Sequence, residues 1–298
     1  MKNILIVGSG AMATLFAWRL AAAGNSVSLL GGWTEAIRTI NRDGVGLVMP
    51  NGNKVSHEVR AFSDPLECPT VDLILVLVKA WQTSHVAKQL AQIPSLHGTV
   101  ITLQNGLGNR EILAASLGFE RVALGVTTLG ATLLGPGWVC LGGEGLTSLE
   151  FRSGMESVSE QLSMADFKVE LVADATALIW SKLVVSSAIN PLTALLKVPN
   201  GALLERSSAR VLLRVLANET AMVGKKLGVV FPFIDPAAFV ESVARDTAKN
   251  LSSMLQDVNR GAPTEIDSIC GSIVREANLL QVPVPMNLAM WQLLSALG

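Results

Sequence analysis

Along the first 172 residues, short apolar runs of β-rich composition alternate with stretches of helical period, the rhythm of a parallel sheet with crossover helices. Asn3 to Gly8, Val27 to Leu30, Asp72 to Lys79, Thr99 to Asn105 and Val122 to Leu129 read as strands. Between the second and third of these, Val45 to Met49 and Lys54 to Val59 flank Asn51-Gly52, which marks a hairpin inserted into the βα series. From about Ala173 the strand signals fade. Long helical runs replace them at Ala175 to Leu196, Ser207 to Leu227, Pro236 to Asn259, Glu265 to Leu280 and Pro285 to Leu297. The pattern predicts an α/β domain over 1–172 and an all-α domain over 173–298. No internal repeat or low-complexity linker separates them, so the expected active site is a cleft between closely apposed domains.

Composition narrows the class. Half of the 298 residues are hydrophobic and 16% are charged, enough to build buried cores and too apolar for disorder. Lys plus Arg, at 23, nearly balances Asp plus Glu, at 24, without any long block of one sign. That distribution gives no electrostatic footprint for nucleic acid and points to a small ligand. Cys68, Cys140 and Cys270 form neither a CxxC motif nor an even set, so neither a disulfide framework nor a cysteine metal site is expected, and a reducing, cytoplasmic location fits. Gly8-Ser9-Gly10 and Arg19 interrupt the N-terminal apolar run, against a signal peptide. The uncharged stretch Val122 to Gly143 is long enough for a bilayer, but Gly135-Pro136-Gly137 divides it into two strands and a turn.

The first candidate chemistry lies at the end of the first strand. Ile4-Leu5-Ile6-Val7 runs into Gly8-Ser9-Gly10-Ala11-Met12-Ala13, a GxGxxA pattern, and then into a helix, Thr14 to Ala23, closed by Gly24. Gly8 permits the tight turn, Gly10 lets a pyrophosphate approach the backbone, and Ala13 keeps helix and strand close. The helix N-terminus offers free N–H groups to the phosphates. This is the signature of a Rossmann-type dinucleotide-binding domain. The second strand ends Leu29-Leu30-Gly31-Gly32-Trp33, with neither the acid that holds NAD ribose nor an Arg for the NADP phosphate. The missing acid and Arg38 on the next helix favour NADP, with NAD left open.

Reduction of a carbonyl needs a proton donor, and the usual ones are Tyr, His, Lys or a metal. The chain contains no tyrosine, and His57, His85 and His97 all lie in the first hundred residues without clustering. Lys182 stands apart as the one charged residue between Ala175 and Leu196. At about 100° per residue, Lys182, Ser186, Asn190 and Thr193 share an arc of roughly 80°. A buried helix with one polar stripe should aim it at a polar cavity, because unpaired polar groups in a dry core are costly. Pro191 is expected to kink or break this helix.

With these residues in place, the chain resembles the ketopantoate reductase (2-dehydropantoate 2-reductase) family over essentially its whole length. The resemblance rests on the Gly8 loop, Val78-Lys79-Ala80-Trp81-Gln82, Gln104-Asn105-Gly106, Trp180-Ser181-Lys182-Leu183 and Ile189-Asn190-Pro191-Leu192-Thr193-Ala194. It continues through Pro199-Asn200-Gly201, Asn250-Leu251-Ser252-Ser253-Met254-Leu255-Gln256-Asp257 and Thr264-Glu265-Ile266-Asp267. It implies NADPH-dependent reduction of ketopantoate to pantoate, in pantothenate biosynthesis, with Lys182 as general acid and Glu265, the second catalytic residue, holding the substrate. It further implies that Ser186, Asn190, Asn200, Asn250 and Ser253 contact a 2-oxo acid. Lys79, Gln82 and Asn105, with Gly8, Ser9, Gly10, Ala11, Met12 and Ala13, would meet the cofactor. No metal, nucleic acid or membrane is implied, and a homodimer stays open. On the residues alone, Asn250, Ser253 and Asp257 read as one helix face and Thr264 with Asp267 as a capping box. The family pattern has Asn at Ser186 and Arg at Gly32; these departures leave open a different 2-oxo acid and a different cofactor preference.

Overall fold

The computed structural model describes residues 3–94 and 96–297. The chain divides into two compact units, Met1–Gln104 with Asn109–Ala175, and Asn105–Gly108 with Thr176–Gly298. The segment 105–108, which the sequence reads as the end of a strand and a turn, clusters with the helical unit.

In the first unit the elements run β1 (Asn3–Val7), α1 (Ala11–Ala22), β2 (Ser26–Leu30), α2 (Thr34–Asp43), β3 (Val45–Val48), β4 (Lys54–His57) and β5 (Arg60–Phe62). They continue as β6 (Val71–Val76), α3 (Thr83–Leu90), β7 (Leu96–Thr102), α4 (Asn109–Leu117), β8 (Val122–Thr127), β9 (Gly130–Gly135), β10 (Trp138–Gly143), β11 (Leu146–Glu150), α5 (Met155–Met164) and β12 (Lys168–Val172). Among the described residues, eight strands form one sheet in the order β12-β11-β8-β7-β6-β1-β2-β5. Neighbours from β5 to β8 are parallel, and β11 joins β8 antiparallel. β1 and β6 are buried along nearly their whole length, as a sheet covered on both faces requires. The expected hairpin forms as β3–β4, and with β9 and β10 it makes a second sheet, β4-β3-β10-β9. That sheet lies over α1, where Leu15, Leu47 and Val139 bury together.

The helical unit holds α6 (Thr176–Leu196), α7 (Ala202–Glu205), α8 (Ser207–Lys226), α9 (Pro236–Asp246), α10 (Ser253–Asn259), a π turn (Asp267–Gly271), α11 (Ser272–Leu279) and α12 (Pro285–Ser295). Its core joins Trp180, Leu183, Val184 and Ile189 of α6 to Leu213, Leu216 and Ala217 of α8 and to Ile269 and Ile273. Of the kink or break expected at Pro191, a break does not occur. α6 continues through it, held by α8, α9, α10 and α12 packed along its length, so packing outweighs one lost hydrogen bond. By length and composition α6 would cross a membrane, yet 61% of its apolar window is buried in the protein. The run from Pro236 to Asn259, expected as one helix, is two. Between them the Ala248 and Asn250 carbonyls accept hydrogen bonds from the N–H groups of Gly201 and Asn200 instead of continuing a helical ladder.

Candidate active site

The dinucleotide loop follows from three glycines with separate duties. Gly8 has φ +130°, and a Cβ there would lie 3.2 Å from the Leu77 carbonyl and 3.3 Å from Ala13 Cβ. Its N–H donates to the Leu30 carbonyl at 2.8 Å, which seats the turn on the neighbouring strand. Gly10 is the N-cap of α1, which begins at Ala11 rather than Thr14, and no side chain caps that helix end. A Cβ on Gly10 would meet nothing within 4 Å. An uncapped helix N-terminus beside open space fits the pyrophosphate of a dinucleotide. Gly31 lies against the loop, its Cβ position 3.1 Å from Ser9 Oγ, whereas a Cβ on Gly32 would again meet nothing within 4 Å. Glu35 and Arg38, both exposed, are the nearest charges that follow on α2.

At the carboxyl ends of β6 and β7 a network absent from the sequence reading joins two turns. Gln104 Nε2 donates to the Val78 carbonyl at 3.2 Å and to Thr83 Oγ1 at 2.8 Å, and its Oε1 accepts from Thr102 Oγ1 at 2.9 Å. Thr83 Oγ1 is also 2.8 Å from Asn109 Oδ1. Lys79 is half-buried in this crest, with its N–H donating to Gln82 Oε1 at 3.3 Å. Paired amides and hydroxyls leave no sequence signal beyond their polarity, and the Val78-Lys79-Ala80-Trp81-Gln82 and Gln104-Asn105-Gly106 motifs were the hints.

In the helical unit, Lys182 sits on α6 and Glu265 just ahead of the π turn, 5% exposed. Burial pushes the Lys182 amine down to about 8, while the Glu265 carboxylate pulls the other way. Asn105 Nδ2 donates to Glu265 Oε2 at 3.1 Å, so Lys182, Glu265 and Asn105 come together. Asn105, expected at the cofactor, is here a partner of the carboxylate.

The other expected substrate residues divide. Ser186 and Asn190 are half-buried on α6, and Ser186 Oγ turns back to the Leu183 carbonyl at 3.3 Å. Asn200 is buried, its Nδ2 donating to Thr247 Oγ1 at 2.9 Å while its Oδ1 has no hydrogen-bond partner. Asn250 and Ser253 are exposed and do not share a helix face. Asn250 precedes α10, whose N-cap is Ser252, and Asp257 is a buried partner of Arg260 rather than part of a solvated face. The serine that is buried is Ser252, whose Oγ meets Thr193 Oγ1 at 2.7 Å. Thr193, the fourth member of the polar stripe, therefore serves helix packing. Thr264 accepts only a long bond from the Ile266 N–H, 3.4 Å, ahead of a π turn, so the expected capping box is not formed with Asp267, which instead pairs with Arg275.

Both units match one family of known proteins. Residues 4–154 match the family described as ketopantoate reductase PanE/ApbA, and residues 174–298 match its C-terminal counterpart. The 2-dehydropantoate 2-reductase of Archaeoglobus fulgidus is 36% identical over 96% of this chain and 95% of its own length. That of Halobacterium salinarum is 33% identical over 95% of each chain. Among solved structures, a ternary complex of D-mandelate dehydrogenase with NADH and anilino(oxo)acetate superposes with a TM-score of 0.92 at 28% identity, covering 99% of this chain and 98% of the other. The PanE/ApbA family ketopantoate reductase from Ralstonia eutropha JMP134 gives 0.91 at 29% identity, with the same coverage. With both of its units matched, the chain belongs to the ketopantoate reductase family of oxidoreductases.

Proposed function

We propose that this chain reduces the C2 ketone of a 2-oxo acid, ketopantoate first among them, with NADPH, yielding the 2-hydroxy acid pantoate in pantothenate biosynthesis. The observation that carries the reading is the Lys182 amine, held near 8 by burial with Glu265 acting on it. A nicotinamide dinucleotide held at the Gly8–Ala13 loop would supply the hydride. Lys182, as ammonium, donates its proton to the carbonyl oxygen as charge develops there, a role worth roughly 10²–10⁴ in rate. Glu265 keeps the ammonium charged against the pull of burial. Ser186, Asn190, Asn200, Asn250 and Ser253 are assigned to the keto acid, and Lys79 and Gln82 to the cofactor. The absence of a carboxylate between Leu30 and Trp33 removes the repulsion that would exclude a 2′-phosphate, which supports NADPH.

The test is turnover of ketopantoate by the purified protein with NADPH and NADH in parallel, alongside Lys182→Ala. The variant is expected to lose most turnover while its dinucleotide affinity, measured by calorimetry, stays close to wild type. Normal turnover by Lys182→Ala would remove the proton-donor assignment. A second reading, a reductase for a different 2-oxo acid, is favoured by two observations. Ser186 gives a short hydroxyl bent onto its own helix, and the D-mandelate dehydrogenase neighbour was solved with NADH and anilino(oxo)acetate. A panel of 2-oxo acids with aliphatic and aromatic side chains, compared by kcat/KM, separates the two readings.

A further inference from the structure

Three consecutive residues of the segment 105–108 seat on Glu265 and the π turn that follows it. The Asn105 amide donates to Glu265 Oε2, and the Leu107 N–H donates to the Ser268 carbonyl at 3.1 Å. The same carbonyl accepts from Ser272 Oγ at 2.7 Å. It belongs to the π turn, where the widened helical ladder leaves carbonyls available to outside donors. The Leu107 side chain packs on the helical core. Between these two anchors stands Gly106, with φ +82°; a Cβ there would lie 2.3 Å from the Ser268 carbonyl oxygen and 2.8 Å from its carbon. Backbone against backbone cannot yield as a flexible side chain would, so any larger residue lifts the segment off the turn. Gly108, at φ +86°, has nothing within 4 Å of its Cβ position, so the tight fit is particular to Gly106.

We propose that Gly106 is a positioning residue: its missing Cβ lets Asn105 and Leu107 seat on the π turn, and the seated Asn105 holds the Glu265 carboxylate where it acts on Lys182. This rests on the reading of Lys182 as the proton donor. A loosened Glu265 leaves the ammonium less supported, so proton donation suffers while dinucleotide binding does not.

The experiment compares Gly106→Ala with Gly118→Ala, a control at another positive-φ glycine. Gly118 has φ +91° at the end of α4 with nothing within 4 Å of its Cβ position, so alanine there also meets a positive φ but no collision. For each protein, kcat and KM for ketopantoate are measured, with NADPH affinity by calorimetry and the titration of the Lys182 amine by NMR of isotopically labelled lysine. Gly106→Ala is expected to lower kcat on the order of 10- to 100-fold, to leave the NADPH dissociation constant within about twofold, and to shift the Lys182 titration to lower pH. Gly118→Ala should retain wild-type kcat and titration. Wild-type kcat in Gly106→Ala, or an equal loss in Gly118→Ala, overturns the proposal. If Gly106→Ala does not fold, Asn105→Ala keeps the backbone seat and removes the side-chain hydrogen bond to Glu265; an unmoved Lys182 titration in that variant overturns it equally. Should the wild type reduce no 2-oxo acid, the functional reading fails and the lysine titration still decides the positioning claim.

Discussion

Replacing Lys182 by methionine should make the protein more stable while abolishing its turnover. The amine falls from its ordinary 10.5 to about 8, with burial the larger cause and the attraction of Glu265 already included. At about 1.4 kcal/mol per pH unit, keeping the ammonium charged in the folded state costs about 3 kcal/mol relative to the unfolded chain. Lys182 is half-buried rather than sealed, so part of that cost is screened, and about 1–3 kcal/mol is the expected gain at pH 7 for an isosteric apolar side chain. The melting temperature should rise by roughly 3–10 °C. The pH dependence supplies a sharper signature. Between pH 8 and 10.5 the unfolded wild type holds a proton on Lys182 that the folded protein has released, so this residue adds a rising contribution to wild-type stability across that window that the variant lacks. Cys68, pushed up by burial to about 11, and Cys270, pushed up further by burial, both lose stability as pH rises above 9. Those slopes are common to both proteins and cancel in the difference. Urea denaturation of the two proteins from pH 6 to pH 10.5 gives the difference curve directly. A variant no more stable than wild type at pH 7, with parallel curves above pH 8, would refute the claim that the ammonium is held at an energetic cost.

The same amine sets the pH profile of the reaction. Reduction needs Lys182 protonated, so kcat for reduction should fall as pH rises through about 8, and a rate unchanged to pH 10 would show that another group donates the proton. Gly32→Arg should enter open space without steric cost and tighten NADPH relative to NADH by about tenfold or more, read as a ratio of calorimetric dissociation constants; an unchanged ratio would place the 2′-phosphate elsewhere. Thr193→Val removes the 2.7 Å contact with Ser252 from a buried helix junction and should lower stability by about 1–2 kcal/mol in urea denaturation. A loss below about 0.3 kcal/mol would mean that Ser252, which still caps α10 through the Leu255 N–H, needs no second partner.

What could be read from the sequence was whatever depends on near neighbours in the chain. Gly8, Gly10 and Ala13 announce the loop because a tight turn, an open helix end and close helix–strand packing each demand a residue type at a fixed offset. The helices showed through their period, and Lys182 through its contrast with α6. The break between α9 and α10 was hidden because the hydrogen bonds that take the Ala248 and Asn250 carbonyls come from Asn200 and Gly201, far along the chain. The docking of 105–108 was hidden for the same reason: its acceptor is the Ser268 carbonyl, and a backbone carbonyl has no residue code. Ser252 and Ser253 differ by one position, which is the difference between a buried N-cap and an exposed first turn. The polar stripe of α6 shows how far periodicity reaches. It placed Lys182 and Thr193 on one face, yet Thr193 spends its hydroxyl on its own helix and on Ser252, while Lys182 lies under the influence of Glu265. A hydroxyl on a buried helix can be satisfied inside the packing with a carbonyl four residues back, whereas an ammonium brings a charge that no such bond offsets. Between these two stripe residues, the lysine therefore carried the information about where a site must be.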